Sequence, residues 1–159
     1  MLENVNSRIA HGLHKAAEAV GPAEDRDGQI SSDRDLRSLA NRLVAIVDDD
    51  LHAREGLNEF VQSLGYMTAA FVSAEDYLKS KLNGDTACLI LDVNLPGMSG
   101  PDLQARLIDD GYSTPIIFLT GRFDHKVRSR VLRAGALGYL TKPNDDQELT
   151  NCIKKALEG

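Results

Sequence analysis

The stretch that decides the fold is residues 87–94, which read ACLILDVN. Residues 87–91 are apolar without interruption, and Asp92 follows them directly. A short apolar run with no polar alternation is typical of a parallel strand that is buried on both faces. Four further apolar runs, rich in β-branched residues, lie before and after it, at residues 43–47, 68–71, 116–119 and 137–140. Together these runs predict a sheet of five strands.

Helical periodicity separates the apolar runs, and one more helical segment follows the last of them. The predicted helices are marked by apolar stripes at 53–64, 103–107, 127–134 and 149–157, and Ser73 with Asp76 forms a capping-box variant that opens another helix. Asn144 is the predicted N-cap of the last helix. Strands that alternate with helices predict an α/β fold, a doubly wound parallel sheet with helices on both faces.

Residues 1–42 are predicted to be an N-terminal extension that precedes a domain of residues 43–159. Residues 21–35, GPAEDRDGQISSDRD, hold one large aliphatic side chain, so they are predicted to be a polar linker. Apolar residues at helical spacing predict an amphipathic helix over about residues 2–20. Its His11 and His14 lie in a segment that somewhat resembles the helix carrying the phosphoacceptor histidine in phosphotransfer domains. Such domains need a four-helix bundle, so an amphipathic helix with solvated histidines is favoured, and a docking or dimerisation helix is the intermediate interpretation.

Composition limits the classes of function. The 159-residue chain carries a net charge of −6, which argues against direct binding to nucleic acid. No apolar run approaches the roughly 18 residues of a membrane span, and the start, MLEN, lacks the features of a secretory signal. Cys88 and Cys152 both lie in apolar patterns and are expected to be buried free thiols. We therefore expect a cytoplasmic protein.

Polar residues follow the predicted strands at one edge of the sheet, where open α/β sheets bind ligands. Asp48, Asp49 and Asp50 follow the first strand, Asp92 the third, Thr120 the fourth, and Thr141, Lys142 and Pro143 the fifth. Clustered carboxylates suit a hard cation such as Mg²⁺, and a carboxylate can attack phosphorus to give an acyl phosphate. Lys142 and Thr120 are suitable partners for the charge of an incoming phosphoryl group.

These motifs closely resemble the receiver domain of response regulators, in particular its FixJ-like group. The resemblance rests on VAIVDDDLHAR, LILDVNLPGMSGPDL, PIIFLTG and GALGYLTKP, and it covers about residues 42–158. It implies a flavodoxin-like fold with the strand order 2-1-3-4-5. It also implies that a histidine kinase or a phosphotransfer protein donates a phosphoryl group, with Mg²⁺ bound and Mn²⁺ as an alternative.

The resemblance assigns roles residue by residue. Asp92 matches the phosphoacceptor, Asp49 the direct metal ligand, Asp48 its partner acting through water, and Asn94 the residue whose backbone carbonyl completes the metal ligands. Lys142 matches the lysine that contacts the phosphoryl oxygens. Thr120 matches the switch hydroxyl, and Tyr139 the aromatic side chain that moves with it. The resemblance also implies a cis peptide bond between Lys142 and Pro143.

The sequence departs from the family pattern in two ways. Asn144 stands where an aromatic residue is common, and no DNA-binding segment follows the last predicted helix. Arg122, like Asn94, occupies a position that tunes the phosphoryl lifetime. We therefore expect a stand-alone receiver that signals by protein–protein contact to an unidentified partner. A homodimer through the fourth helix, fifth strand and fifth helix is a further expectation.

Two alternatives remain open at this stage. One is a phosphatase-like enzyme of the haloacid dehalogenase type, which also uses an aspartate nucleophile. Such enzymes have a second acid two residues after the nucleophile, and Asn94 occupies that position here. The other is an interaction module that never takes up phosphate, which the complete set of acids disfavours. The preferred interpretation is a chain that catalyses only its own phosphorylation and dephosphorylation.

Overall fold

In a computed structural model, the part of the chain that is described is residues 42–158. Within this range, helices and strands alternate along the chain, as the apolar runs predict. The helix predicted at residues 2–20, the linker at residues 21–35 and the two histidines of the extension lie outside the described residues. The proposed boundary between extension and domain therefore stays a prediction.

Ten elements follow one another in the described chain. The strands are β1 (Leu43–Val47), β2 (Met67–Phe71), β3 (Cys88–Asp92), β4 (Ile116–Thr120) and β5 (Gly138–Thr141). The helices are α1 (Leu51–Ser63), α2 (Ala74–Lys79), α3 (Gly100–Asp109), α4 (His125–Arg133) and α5 (Asp146–Glu158). Each helix follows one strand, so the described domain consists of five βα units.

The strands form one parallel sheet in the order β2-β1-β3-β4-β5. This is the predicted order. Strands β1, β3 and β4 are buried at every residue, as uninterrupted apolar runs require. Strand β2 lies at the edge and is largely half-exposed. The chain order reverses between β1 and β3, and the crevice at such a reversal is where open α/β sheets hold ligands.

Alternate residues of the strands build two apolar cores, one on each face of the sheet. Ala45 and Val47 face the core that is closed by α2, α3 and α4, whereas Val44 and Ile46 face the core that is closed by α1 and α5. The second core contains Cys88, which is fully buried as predicted. Cys152 is partly buried and packs against the same core.

Several element boundaries differ from the predictions. Strands β3, β4 and β5 each end one residue later than their apolar runs, so Asp92 and Thr120 are the last residues of their strands. The prediction that Asn144 caps the last helix is wrong. Asp145 is the cap, because its carboxylate accepts hydrogen bonds from the backbone N–H groups of Gln147 (2.7 Å) and Glu148 (3.1 Å).

The other predicted cap is confirmed. The Ser73 hydroxyl accepts a hydrogen bond from the N–H of Asp76 and opens α2. Among residues 42–158, no helix combines the length and the apolar character needed to cross a membrane.

Candidate functional site

Three acids and one lysine meet at the carboxyl edge of the sheet. Asp92 ends β3 in register with Leu119 of β4, and Asp48 directly follows β1. The Lys142 ammonium lies 2.6 Å from Asp48 Oδ2 and 3.3 Å from Asp92 Oδ2. These residues are separated by 94 and 50 positions in the chain, and the parallel strands bring them together. The peptide bond between Lys142 and Pro143 is cis, as the resemblance implies.

The acids form a site that oxygen-seeking cations fit. Asp48, Asp49 and Asp92 each offer one carboxylate oxygen, and these oxygens all lie within 4.8 Å of one another. Asp48 and Asp92 are buried, with 1% and 8% of their surfaces exposed, whereas Asp49 is exposed. Three carboxylates beside one ammonium leave two negative charges uncompensated. Both the charge and the all-oxygen donor set suit one divalent cation such as Mg²⁺.

Burial dominates the electrostatics of Asp92. It raises the pKa of Asp92, and the neighbouring Asp48 raises that pKa further, while Lys142 and the N–H of Asn94 oppose the change without cancelling it. Burial alone would lower the pKa of Lys142, but the two carboxylates outweigh it and leave the pKa raised. Lys142 therefore stays protonated at neutral pH, and an ionised Asp92 is held at a free-energy cost that a bound cation would relieve.

Backbone and side-chain hydrogen bonds hold Asp48 in place. Its Oδ1 accepts from the N–H of Asp50 (2.9 Å), and its own N–H donates to the carbonyl of Phe71 (3.1 Å). Arg54, one turn into α1, donates to the Asp48 carbonyl at 2.7 Å. Arg54 is the last residue of the VAIVDDDLHAR motif, but the sequence alone predicts no role for it. The contact depends on the direction in which α1 leaves the loop after β1, and spacing alone does not reveal that direction.

Asn94 lies in the loop after Asp92, and its side chain is exposed. Its N–H donates to Asp92 Oδ1 at 3.1 Å. Because Lys142 contacts Oδ2, both carboxylate oxygens of Asp92 have a hydrogen-bonding partner. Asn94 brings no carboxylate to this position. The position two residues after Asp92 therefore lacks the second acid that a phosphatase of the haloacid dehalogenase type has there.

Thr120 and Tyr139, the predicted switch residues, both hold the loop that joins β4 to α4. The Thr120 hydroxyl donates to the carbonyl of Arg122 (2.9 Å) and accepts from the N–H of Arg122 (3.1 Å). The Tyr139 hydroxyl accepts from the N–H of Asp124 (3.2 Å), which is the N-cap of α4. The Tyr139 ring is buried and packs edge-on against Phe123. In this structure the Thr120 hydroxyl is thus engaged by the loop.

Comparison with known proteins identifies the class of domain. A family model described as the response regulator receiver domain matches residues 44–154. Nodulation protein W of Bradyrhizobium diazoefficiens is 40% identical over 116 residues, which are 73% of this chain and 51% of that protein. The transcriptional regulatory protein FixJ of the same organism is 30% identical over 114 residues, which are 72% of this chain and 56% of FixJ. The chain therefore spans about half the length of these curated relatives.

Solved structures agree with the sequence comparison. The receiver domain of DrrB in a BeF3-activated form matches with a TM-score of 0.67 and 29% identity, over 74% of this chain and 97% of that domain.

Proposed function

Because the chain belongs to the response-regulator receiver family, we propose that it accepts a phosphoryl group on Asp92 from a histidine kinase or a phosphotransfer protein. One observation carries the proposal. A buried carboxylate at the end of a central strand stands beside an ammonium and two further carboxylates, all at the sheet edge where ligands bind. A structural role alone would not call for three acids beside a single lysine.

Asp92 is the nucleophile in this proposal. One of its carboxylate oxygens attacks the phosphorus of a phosphorylated histidine, forming an O–P bond while the P–N bond to the imidazole breaks with its electron pair. The imidazole leaves as a neutral group after protonation. Asp92 needs no base, because the ordinary pKa of an aspartate carboxyl group lies well below neutral pH, and the neighbouring Lys142 favours the ionised form.

Asp49 and Asp92 would bind Mg²⁺ directly, together with the backbone carbonyl of Asn94, and Asp48 would bind through water. The Asp48 contacts agree with an indirect role, because its two oxygens already accept from Lys142 and from Asp50. The bound cation supplies charge neutralisation for the phosphoryl oxygens, and Mn²⁺ can replace Mg²⁺.

Lys142 contributes a fixed positive charge. Its ammonium lies within hydrogen-bonding distance of Asp48 and close to Asp92, so it can remain bound to Asp48 while it contacts an oxygen of the new phosphoryl group. The backbone N–H of Lys142 donates to the Thr120 carbonyl at 2.7 Å, which ties the end of β5 to the end of β4. This hydrogen bond holds the backbone of Lys142 beside that of Thr120.

The output of the switch follows from the contacts of the β4–α4 loop. When the Thr120 hydroxyl turns towards the phosphoryl group, it gives up its two hydrogen bonds with the backbone of Arg122. The loop then repacks, and its new position determines whether the Tyr139 hydroxyl keeps its hydrogen bond from the N–H of Asp124. The start of α4 depends on the same aspartate, so the α4-β5-α5 face changes shape. The change needs to bias an existing equilibrium by only a few kcal/mol.

This face is the proposed surface for a downstream protein and for a homodimer. The relatives named as regulators are about twice as long as the region matched here, so their whole activities do not transfer to this chain. We propose output through protein–protein contact in the cytoplasm, without direct contact to nucleic acid or membrane.

The proposal is tested by incubation with acetyl phosphate and Mg²⁺, followed by intact mass measurement. Wild type should gain the mass of one phosphoryl group, and Asp92→Asn should gain none. Asp102→Asn is a matched control, because Asp102 is exposed and, among residues 42–158, its side chain pairs only with Arg130 (3.3 Å). A gain in Asp92→Asn, or no gain in wild type while a known receiver is labelled, would overturn the proposal. Continuous hydrolysis of an alkyl phosphate monoester over many turnovers would favour the phosphatase alternative instead, because such an ester is not an activated phosphoryl donor like acetyl phosphate.

A further inference from the structure

Glu75, at the start of α2, reaches across to the loop that follows the acceptor. We call residues 93–99 the acceptor loop. Glu75 Oε1 accepts a hydrogen bond from the backbone N–H of Met98 at 2.6 Å, although the two residues are 23 positions apart. No other side chain of the described residues makes a hydrogen bond to the backbone of this loop's second half. The contact joins a helix at the edge of the sheet to the segment that carries Asn94.

Gly97 provides a second, independent sign that the carboxylate is seated on this loop. Its φ is +76°, which favours glycine, and a Cβ built there would lie 2.6 Å from Glu75 Oε1 and 3.3 Å from Glu75 Cδ. The carboxylate therefore occupies the space that any side chain at position 97 would need. Carboxylate and loop fit each other from both sides.

The remaining contacts of the acceptor loop show what the Glu75 contact adds. The base of the loop is closed by the N–H of Gly100, which donates to the carbonyl of Val93 at 3.0 Å. The Leu95 side chain is buried in the core, and the Met98 side chain packs partly against it. The Glu75 contact is the polar anchor at the far end of the loop, so it limits how residues 94–98 can rotate between the two fixed points.

We propose that Glu75 is a positioning residue for the phosphorylation site, acting through Met98 to hold the acceptor loop so that the Asn94 carbonyl faces the cation. This inference rests on the proposed function, because it assumes that the carbonyl binds Mg²⁺. The charged state of Glu75 is favoured by the contact, since the Met98 N–H lowers the pKa of its carboxyl group. Residues that orient the ligands of a metal commonly change its affinity by 10- to 100-fold when they are removed.

The test compares Glu75→Ala with Glu75→Gln and Asp76→Ala. Glu75→Ala removes the acceptor, Glu75→Gln keeps an oxygen that can accept from Met98, and Asp76→Ala removes the same charge from an exposed neighbour in the same helical turn. The measurements are the Mg²⁺ dissociation constant by calorimetry, and the phosphorylation rate with acetyl phosphate at low and at saturating Mg²⁺. Unfolding by urea is measured for each variant.

For Glu75→Ala we expect the Mg²⁺ dissociation constant to rise by about tenfold, the lower end of that range. Its phosphorylation rate should fall by a similar factor at low Mg²⁺ and recover to within about twofold of wild type at saturating Mg²⁺. Glu75→Gln should lie within about threefold of wild type, and Asp76→Ala should be unchanged. A role in folding alone would lower the stability of Glu75→Ala and leave its Mg²⁺ affinity unchanged.

A double-mutant cycle with Gly97→Ala tests the same contact from the loop side. The added methyl group displaces the Glu75 carboxylate, so Gly97→Ala should weaken Mg²⁺ binding, and adding Glu75→Ala to it should weaken binding little further. Losses that simply multiply would overturn the inference. So would a Glu75→Ala protein with wild-type Mg²⁺ affinity, provided that wild type binds Mg²⁺ and is phosphorylated. If wild type itself binds no Mg²⁺, the proposed function fails first, and this inference fails with it.

Discussion

Substitution of Gly100 tests how closely the start of α3 is packed against the end of β3. A Cβ at Gly100 would lie 3.1 Å from the ring of Phe118 and still closer to the backbone carbonyl oxygen of Asp92. Phe118 is fully buried, and Asp92 belongs to a strand that is buried at every residue, so neither can move aside cheaply. We therefore expect Gly100→Ala to lower the free energy of unfolding by about 1–3 kcal/mol, the usual cost of overpacking a core.

Gly56 is the matched control for the same substitution. It lies in the middle of α1, is exposed, and a Cβ there would meet no atom within 4 Å. Replacing a glycine inside a helix by alanine normally adds about 0.5–1 kcal/mol of stability. The same chemical change should thus affect stability with opposite signs at the two positions, with a difference of about 1.5–4 kcal/mol between the variants.

The assay is equilibrium unfolding in urea, followed by far-ultraviolet circular dichroism because the chain contains no tryptophan. The slopes of the transitions should agree among the three proteins. Gly100→Ala should also be phosphorylated about 10- to 100-fold more slowly, because the added methyl group displaces the backbone of the nucleophile. The reasoning is refuted if Gly100→Ala is as stable as wild type, or if Gly56→Ala is destabilised as much as Gly100→Ala.

Three further predictions follow from the shifted pKa values. Burial raises the pKa of Asp92, so ionisation of its carboxyl group lowers the stability of the folded protein as the pH rises. Urea unfolding at neutral pH without Mg²⁺ should therefore show that Asp92→Asn is more stable than wild type and that the control Asp76→Asn is not. Burial raises the pKa of Tyr77 from 10.0 to about 12, so the stability that its neutral form contributes is complete below pH 10 and is lost as the pH rises to 12. Wild type should therefore lose about 2–3 kcal/mol of unfolding free energy over this range that Tyr77→Phe does not lose. Parallel plots of unfolding free energy against pH for the two proteins would contradict this. Burial raises the pKa of Cys88 to about 12, so a maleimide at pH 8 should label the partly exposed Cys152 first and Cys88 only after unfolding. Equal labelling rates of the two cysteines in the folded protein would contradict this.

The central sheet could be predicted from the sequence because burial on both faces leaves a strong signal. Strands β1 and β3 are uninterrupted apolar runs, and the polar residue that ends each run identifies the functional edge. The run predicted for edge strand β2 omits Met67, because a half-exposed strand has a weaker apolar pattern. The strand order came from family resemblance, since the apolar runs alone do not determine which strands are neighbours.

The parts of the site that the sequence did not reveal are contacts between distant segments. Asn144 and Asp145 are both good capping residues, and the path of the chain out of β5 selects Asp145. Arg54 reaches the Asp48 carbonyl, and Glu75 reaches Met98, through the packing directions of α1 and α2. Such directions depend on the whole fold, and for that reason local spacing predicted the acids and the lysine but neither of these anchors.

The most direct test of the central claim is chemical mapping of the phosphorylated residue. The protein is treated with acetyl phosphate and Mg²⁺ and then reduced with borohydride, which converts an aspartyl phosphate into homoserine, and the peptides are sequenced by mass spectrometry. We expect homoserine at position 92 and at no other aspartate. Homoserine at position 48 or 49, or a stable phosphate on a serine, threonine or histidine in place of Asp92, would contradict it.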